Sequence, residues 1–180
     1  LDKVETATWL GVLQSTFTNF PYLRKEWKKN CDVERLLGVS LTGQMDNPSV
    51  LTSEGLQALK SRVLRISRKA STLLGVNMPV ATTCVKPSGT VSQLVDSASG
   101  CHPRYSQYYI RRYRIASSDP LFQMLKEQGV PCSPENGQDE KDATTWVLDF
   151  PVKAPEGCLT RKDVSAMEQL SHYKNLQHNW

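Results

Sequence analysis

The sequence predicts an α/β fold with a mostly parallel sheet, and three observations carry that expectation. Short apolar or β-branched runs alternate with segments of helical periodicity. No tight hairpin turn joins successive strands, so each strand hands the chain to a helix that can return it to the same edge. The composition, 39% hydrophobic and 22% charged over 180 residues, is that of a globular chain long enough to bury one sizeable core.

Taken in order, residues 6–17 read as a helix with Trp9, Leu10, Leu13 and Phe17 on one side, and residues 22–29 as a second, short helix after Pro21. Residues 36–41 are apolar between Arg35 and Thr42-Gly43, which suits a buried strand. Asn47-Pro48 breaks the chain. From 53 to 74, Leu56, Leu59, Val63, Ile66, Ala70 and Leu73 recur at spacings of three and four, with Ser53 as N-cap and Gly75 as C-cap. The opposite face carries Lys60, Arg62, Arg65, Arg68 and Lys69.

A strand over 82–85, a loop, and a short helix over 91–95 follow, then a strand over 108–115, a helix over 120–128 and a strand over 146–152. Pro, Asn, Gly and acidic side chains mark 131–142 as an exposed loop. Thr160, with Asp163 three residues later, predicts the start of a last helix. No internal repeat, bilayer-spanning apolar run or secretory signal is visible.

Net charge is +4, from 22 basic and 18 acidic residues, with basic clusters at 24–29, 60–69 and 111–114. The first two read as solvated helix faces. Five cysteines, Cys31, Cys84, Cys101, Cys132 and Cys158, lack Cys-x-x-Cys spacing, which excludes a zinc ribbon and a disulfide framework and fits a reduced, cytoplasmic setting.

The segment that points most directly to chemistry is Lys86-Pro87-Ser88-Gly89-Thr90, placed between a β-branched strand and a helical turn. Strand, glycine-containing loop and helix start form an anion-binding layout, because the first backbone N–H groups of a helix lack internal partners. Ser88 and Thr90 add hydroxyl donors, and Gly89 admits close backbone approach. A Pro-Ser-Gly-Thr string is also an ordinary turn. The spacing is not that of a Walker A loop.

Four motifs in register carry a resemblance. Leu37-Gly38-Val39-Ser40-Leu41-Thr42-Gly43, Val85-Lys86-Pro87-Ser88-Gly89-Thr90-Val91, Gly100-Cys101-His102-Pro103, and Tyr109-Ile110-Arg111-Arg112-Tyr113-Arg114 followed by Ser118-Asp119-Pro120-Leu121 together resemble adenosylcobalamin-dependent ribonucleotide reductase. The likeness runs from about Trp9 through most of the chain, is strongest over 82–121, and is weak over 135–144. It implies the second half of a ten-stranded α/β barrel, with residues 1–180 a partial catalytic domain truncated at both ends.

The resemblance also implies a function. The intact enzyme would convert ribonucleoside triphosphates, or diphosphates, to deoxyribonucleotides through an adenosylcobalamin-initiated thiyl radical, with a thioredoxin-type dithiol as reductant. Pro87, Ser88, Gly89, Thr90 and Val91 would hold the substrate phosphates, with Lys86, His102 and Arg111 as neighbours. The family's Asn-x-Cys-x-Glu radical loop does not occur here, so the radical cysteine and the reducing pair are expected outside the segment, and no metal ligand is expected within it.

Three further readings stay open. The iron-dependent, diphosphate-using reductases share the barrel and a related loop. A stand-alone nucleotide- or nucleic-acid-binding module would suit the alternation of arginine and tyrosine over 108–115, although no RNP, KH or helix-turn-helix signature accompanies it. A purely structural domain would bind no nucleotide.

Overall fold

The computed structural model describes residues 2–86 and 88–180, which form two compact units. The first comprises the residues up to Arg104 together with Gly157–Trp180, and the second is Tyr105–Glu156.

In the first unit, α1 (Asp2–Gln14) and α3 (Ser53–Leu74) pack together. Thr8 and Val12 are the buried side chains of α1, whereas Leu10, Leu13 and Phe17 are exposed. The apolar stripe expected from Leu10, Leu13 and Phe17 is therefore not the buried one, and Thr8 is accommodated by donating its hydroxyl to the Val4 carbonyl at 2.7 Å. The second helix, α2 (Lys25–Glu34), begins later than its sequence suggests and buries no side chain.

Helix α3 spans the predicted residues. Its N-cap is Thr52, whose hydroxyl accepts from Gly55 N–H at 3.1 Å, rather than Ser53, whose hydroxyl donates to Asn175 Oδ1 at 2.9 Å. Leu56, Val63, Ile66 and Ala70 form its buried stripe, and Gly75 closes it. The basic face is solvated in part and paired in part: Arg62 and Arg65 converge on Glu5.

The last helix, α6 (Ala166–Asn179), starts at a capping box made by Ser165 and Glu168. Thr160 and Asp163 do bond each other, but they close a turn ahead of the helix instead of opening it. Val39, Leu56, Val63, Leu176 and Trp180 form the core of this unit.

The extended segments expected as strands over 36–41 and 82–85 run side by side in parallel but meet only as the single bridge Val39↔Thr83, flanked by Val39 N–H to Thr82 O and Cys84 N–H to Val39 O, both 3.0 Å. The short helix α4 (Gly89–Leu94) follows the second of them in sequence.

The second unit overturns the mostly parallel expectation. Strand β1 (Tyr108–Ala116) pairs antiparallel with β3 (Thr145–Lys153), and β2 (Cys132–Pro134), inside the predicted loop, pairs antiparallel with the other edge of β3. A helix between two strands does not force them parallel. Here α5 (Pro120–Glu127) turns Phe122 onto Trp146 of β3, ring centroids 5.2 Å apart, and the chain returns through β2 before laying β3 in the middle. One face of the sheet buries Ile115, Trp146 and Leu148 while the rest stays open, the one-sided pattern of an antiparallel sheet.

Candidate functional site: the loop at residues 86–91 and its support

Ser88 stands at the N-cap position of α4, but its side chain makes no capping bond. Its hydroxyl lies 2.7 Å from the hydroxyl of Thr42, which comes from the turn after the 36–41 segment. Its carbonyl accepts from Ser92 N–H at 3.1 Å and from the buried Ser92 hydroxyl. Helix α4 is thus tied to its own first turn while the Ser88 side chain is tied backwards to another segment.

Gly89, Thr90 and Val91 are exposed. A Cβ placed on Gly89 would meet nothing within 4 Å, and its φ is not positive, so neither backbone conformation nor protein packing requires a glycine there. Lys86 is exposed and folds across Gly38, where an added Cβ would lie 2.8 Å from Lys86 Cε and 3.0 Å from Nζ. Pro87 lies outside the described residues.

Behind the loop, two close approaches require glycine. Gly100 has φ +54 and its Cβ position is 3.1 Å from Lys86 O; Gly43 has φ +67 and its Cβ position is 2.9 Å from Ser97 Cβ. Thr42 Oγ1 accepts from Gly100 N–H at 3.1 Å and reaches Ala98 O at 3.1 Å.

The 96–104 segment is held in turn by Arg104, 4% exposed. Its Nε and Nη2 donate to the two carboxylate oxygens of Asp46, at 2.9 and 3.1 Å, while Nη1 reaches Asp96 Oδ1 at 3.2 Å and Nη2 reaches Asp96 O at 2.7 Å. Asp46 Oδ2 also accepts from Ala98 N–H at 2.8 Å. Helix α6 contributes from the far end of the chain: Gln169 donates to Cys101 O, and His172 Nε2 bonds Gln44 Oε1 at 2.8 Å. Burial holds the His172 imidazole below its usual pKa of 6.5.

The structure therefore groups Lys86, Ser88, Gly89, Thr90 and Val91 as one surface loop. Neither of two cavities in this unit, of about 420 and 590 Å³, is lined by them. His102 is exposed on the segment that backs the loop. Arg111 belongs to the second unit, half-buried on β1 opposite Phe150. Its neighbours Arg112 and Arg114 pair with Asp149 at 3.3 Å and Glu135 at 2.5 Å, so their charge is compensated within that unit.

Sequence reasoning missed the supporting groups Thr42, Asp46, Asp96 and Arg104. The only signal for them was their presence inside or beside the quoted motifs. None of the five cysteines forms a disulfide, and burial, reinforced by nearby Asp46, pushes the Cys158 thiol above its usual pKa. Among the described residues no cluster of His, Cys, Asp or Glu is arranged to hold a metal, and no helix is long and apolar enough to cross a membrane.

An adenosylcobalamin-dependent ribonucleoside-triphosphate reductase of Levilactobacillus brevis is 35% identical over 127 residues, covering 68% of this chain and 16% of the relative. Enzymes of that name from Lactobacillus acidophilus and Euglena gracilis are 34% and 29% identical, over 71% and 86% of this chain and 17% and 22% of theirs. The chain belongs to this family. It spans less than a quarter of the length of these relatives.

No protein-family model matches the reductase segment. A crystal structure of a B12-dependent (class II) ribonucleotide reductase matches its fold with a TM-score of 0.80 at 24% identity, over 98% of this chain and 29% of that one. The fold is accordingly the mixed helix-and-strand fold of the matching part of that reductase.

Proposed function

We propose that this chain is the part of an adenosylcobalamin-dependent ribonucleoside-triphosphate reductase that holds the phosphates of the substrate, through Pro87, Ser88, Gly89, Thr90 and Val91. The observation that carries the reading is the bare backbone at Gly89. Gly89 is the first residue of α4, and neither its φ nor its packing requires a glycine there. Open space over the backbone is what an approaching phosphoryl group needs. Because α4 has only six residues, the donors themselves, rather than a helix dipole, are assigned the larger role.

In this reading the segment is part of the second half of a ten-stranded α/β barrel, to which the parallel pairing of 36–41 with 82–85 belongs. The relatives' name supplies the substrate class, a ribonucleoside triphosphate, and the cofactor. Bound adenosylcobalamin would supply radical initiation in the intact, cytoplasmic enzyme, and a thioredoxin-type dithiol would supply the electrons.

The residues here do not form a fit for the cofactor: His172 is engaged by Gln44, His178 by Lys174 O, and His102 stands alone on the surface. No step of the reaction is therefore routed through them. Their task is orientation, which matters because a displacement of about 1 Å can cost on the order of a hundredfold in rate.

The test uses the full-length reductase. Deoxynucleotide formation from a ribonucleoside triphosphate and a dithiol is expected only with adenosylcobalamin; formation without it would favour an iron-dependent enzyme. Gly89→Glu is expected to raise KM by blocking and repelling phosphate while leaving the melting temperature unchanged, since the side chain enters open space. Ser88→Ala is expected to be milder, because backbone donors remain. Unchanged KM in both variants would remove the loop from the substrate site.

A further inference from the structure

The Ser88 hydroxyl is engaged by Thr42 within the protein, and the hydrogen inventory around Thr42 decides how it can be released. Thr42 Oγ1 has three neighbours: Ala98 O at 3.1 Å, Gly100 N at 3.1 Å and Ser88 Oγ at 2.7 Å. A hydroxyl has one hydrogen and two acceptor positions. The amide of Gly100 can only donate and the carbonyl of Ala98 can only accept. When Thr42 gives its hydrogen to Ala98 O, Ser88 must be the donor in the Thr42–Ser88 bond. Thr42 is then saturated, and Ser88 has no hydrogen left for a ligand.

The second arrangement turns the Thr42 hydrogen onto Ser88 Oγ. Ser88 is then free to donate outward, and Gly100 N–H keeps its acceptor. Ala98 O is not left bare, because Gly43 N–H donates to it at 2.8 Å. The groups flanking Thr42 are fixed: Ala98 N–H is held by Asp46, Asp46 by Arg104, and Gly100 by its approach to the Lys86 carbonyl.

We infer that Thr42 is a positioning residue for the phosphate loop, whose hydroxyl hydrogen moves from Ala98 O to Ser88 Oγ as a phosphoryl oxygen takes the Ser88 hydrogen bond. This rests on the proposed phosphate-binding role of the loop. No proton leaves either oxygen; two O–H groups rotate. Thr42 thereby acts through Ser88 and touches no substrate atom.

The experiment is a mutant cycle in the full-length reductase, with CTP as the varied substrate. Thr42→Val keeps the shape and removes the hydroxyl. It is expected to raise KM about three- to tenfold, the range that losing one ordinary hydrogen bond gives, with kcat within about twofold. Thr42→Ser is expected to restore KM to within about twofold of wild type. In a Ser88→Ala background, Thr42→Val is expected to add nothing further, because the hydroxyl it orients is gone.

A full additional rise of KM in that background would overturn the inference, as would an unchanged KM in Thr42→Val when Ser88→Ala raises it. An unchanged KM in both Ser88→Ala and Gly89→Glu would instead overturn the loop reading and the inference with it. Melting temperatures are measured for each protein, and if Thr42→Val does not fold, Thr42→Ala takes its place in the same cycle.

Discussion

Arg104→Met removes the guanidinium that fastens the 96–104 segment to the turn at Asp46, and its cost can be worked from the geometry. The arginine side chain is 3% exposed, that of Asp46 15% and that of Asp96 79%. The bidentate pair with Asp46 is therefore a buried ion pair, whereas the contact with Asp96 Oδ1 is a surface one. Methionine fills much of the volume but leaves the Asp46 carboxylate with the Ala98 N–H as its remaining named donor. Deleting one partner of a buried pair costs 3–5 kcal/mol, and the surviving donor and slight exposure of Asp46 place this case near the lower end, about 3 kcal/mol.

For a chain of this size that corresponds to a fall in Tm of roughly 6–12 °C. Asp96→Ala should cost no more than about 1 kcal/mol, since the exposed pair is screened and the backbone acceptor of Asp96 remains. Thermal unfolding followed by calorimetry compares the two. An Arg104→Met protein that melts within about 2 °C of wild type, or an Asp96→Ala protein that loses as much as Arg104→Met, would refute the reasoning. The double variant Asp46→Ala/Arg104→Met should lose less than the sum of its singles, because no uncompensated charge is left behind.

Two further outcomes are expected. The His172 imidazole is held neutral by burial, so its folded pKa lies below the unfolded value near 6.5. The unfolded chain then binds the proton first, and stability, complete above about pH 6.5, is lost as pH falls through the folded value. The Tm recorded from pH 7.5 to pH 5 should drop less in His172→Gln than in wild type. Ser165→Ala removes the hydroxyl that accepts from Glu168 N–H at the start of α6 and leaves the Ser165 N–H bond to Glu168 Oε2 in place. It should cost about 1 kcal/mol, read as faster hydrogen exchange at the amides of Glu168 and Gln169.

What could be read in advance was local. Helix α3 declares itself because its periodicity and closing glycine lie within one stretch, while its cap is Thr52 and not the neighbouring Ser53; β1 and β3 follow from β-branched and aromatic runs. The pairing of β1 with β3 was not legible, since nothing in either strand names its partner, and the three residues of β2 carry no pattern beyond Ser133 and Val147 meeting in register. The loop itself was legible from Lys86-Pro87-Ser88-Gly89-Thr90. Its support was not, because Thr42 stands 46 residues from Ser88 and Asp46 stands 58 from Arg104. Contacts at such separations leave no periodic trace.

The bonds that join α3 and the 82–85 segment to residues 175–180 also set an order in time. Ser53 with Asn175, Gln57 with Asn179, and Thr83 with the Trp180 carbonyl all wait for residues synthesised about a hundred positions later. At about 5–20 residues per second, roughly a hundred residues take 5–20 s to follow α3 out. Throughout that interval Leu56 and Val63 lack Leu176 and Trp180, their core partners. The Tyr105–Glu156 unit, whose sheet is closed by its own strands, can complete itself meanwhile. During synthesis, then, the unit that carries the 86–91 loop is the part of this segment that waits, and the part exposed longest to chaperones and proteases.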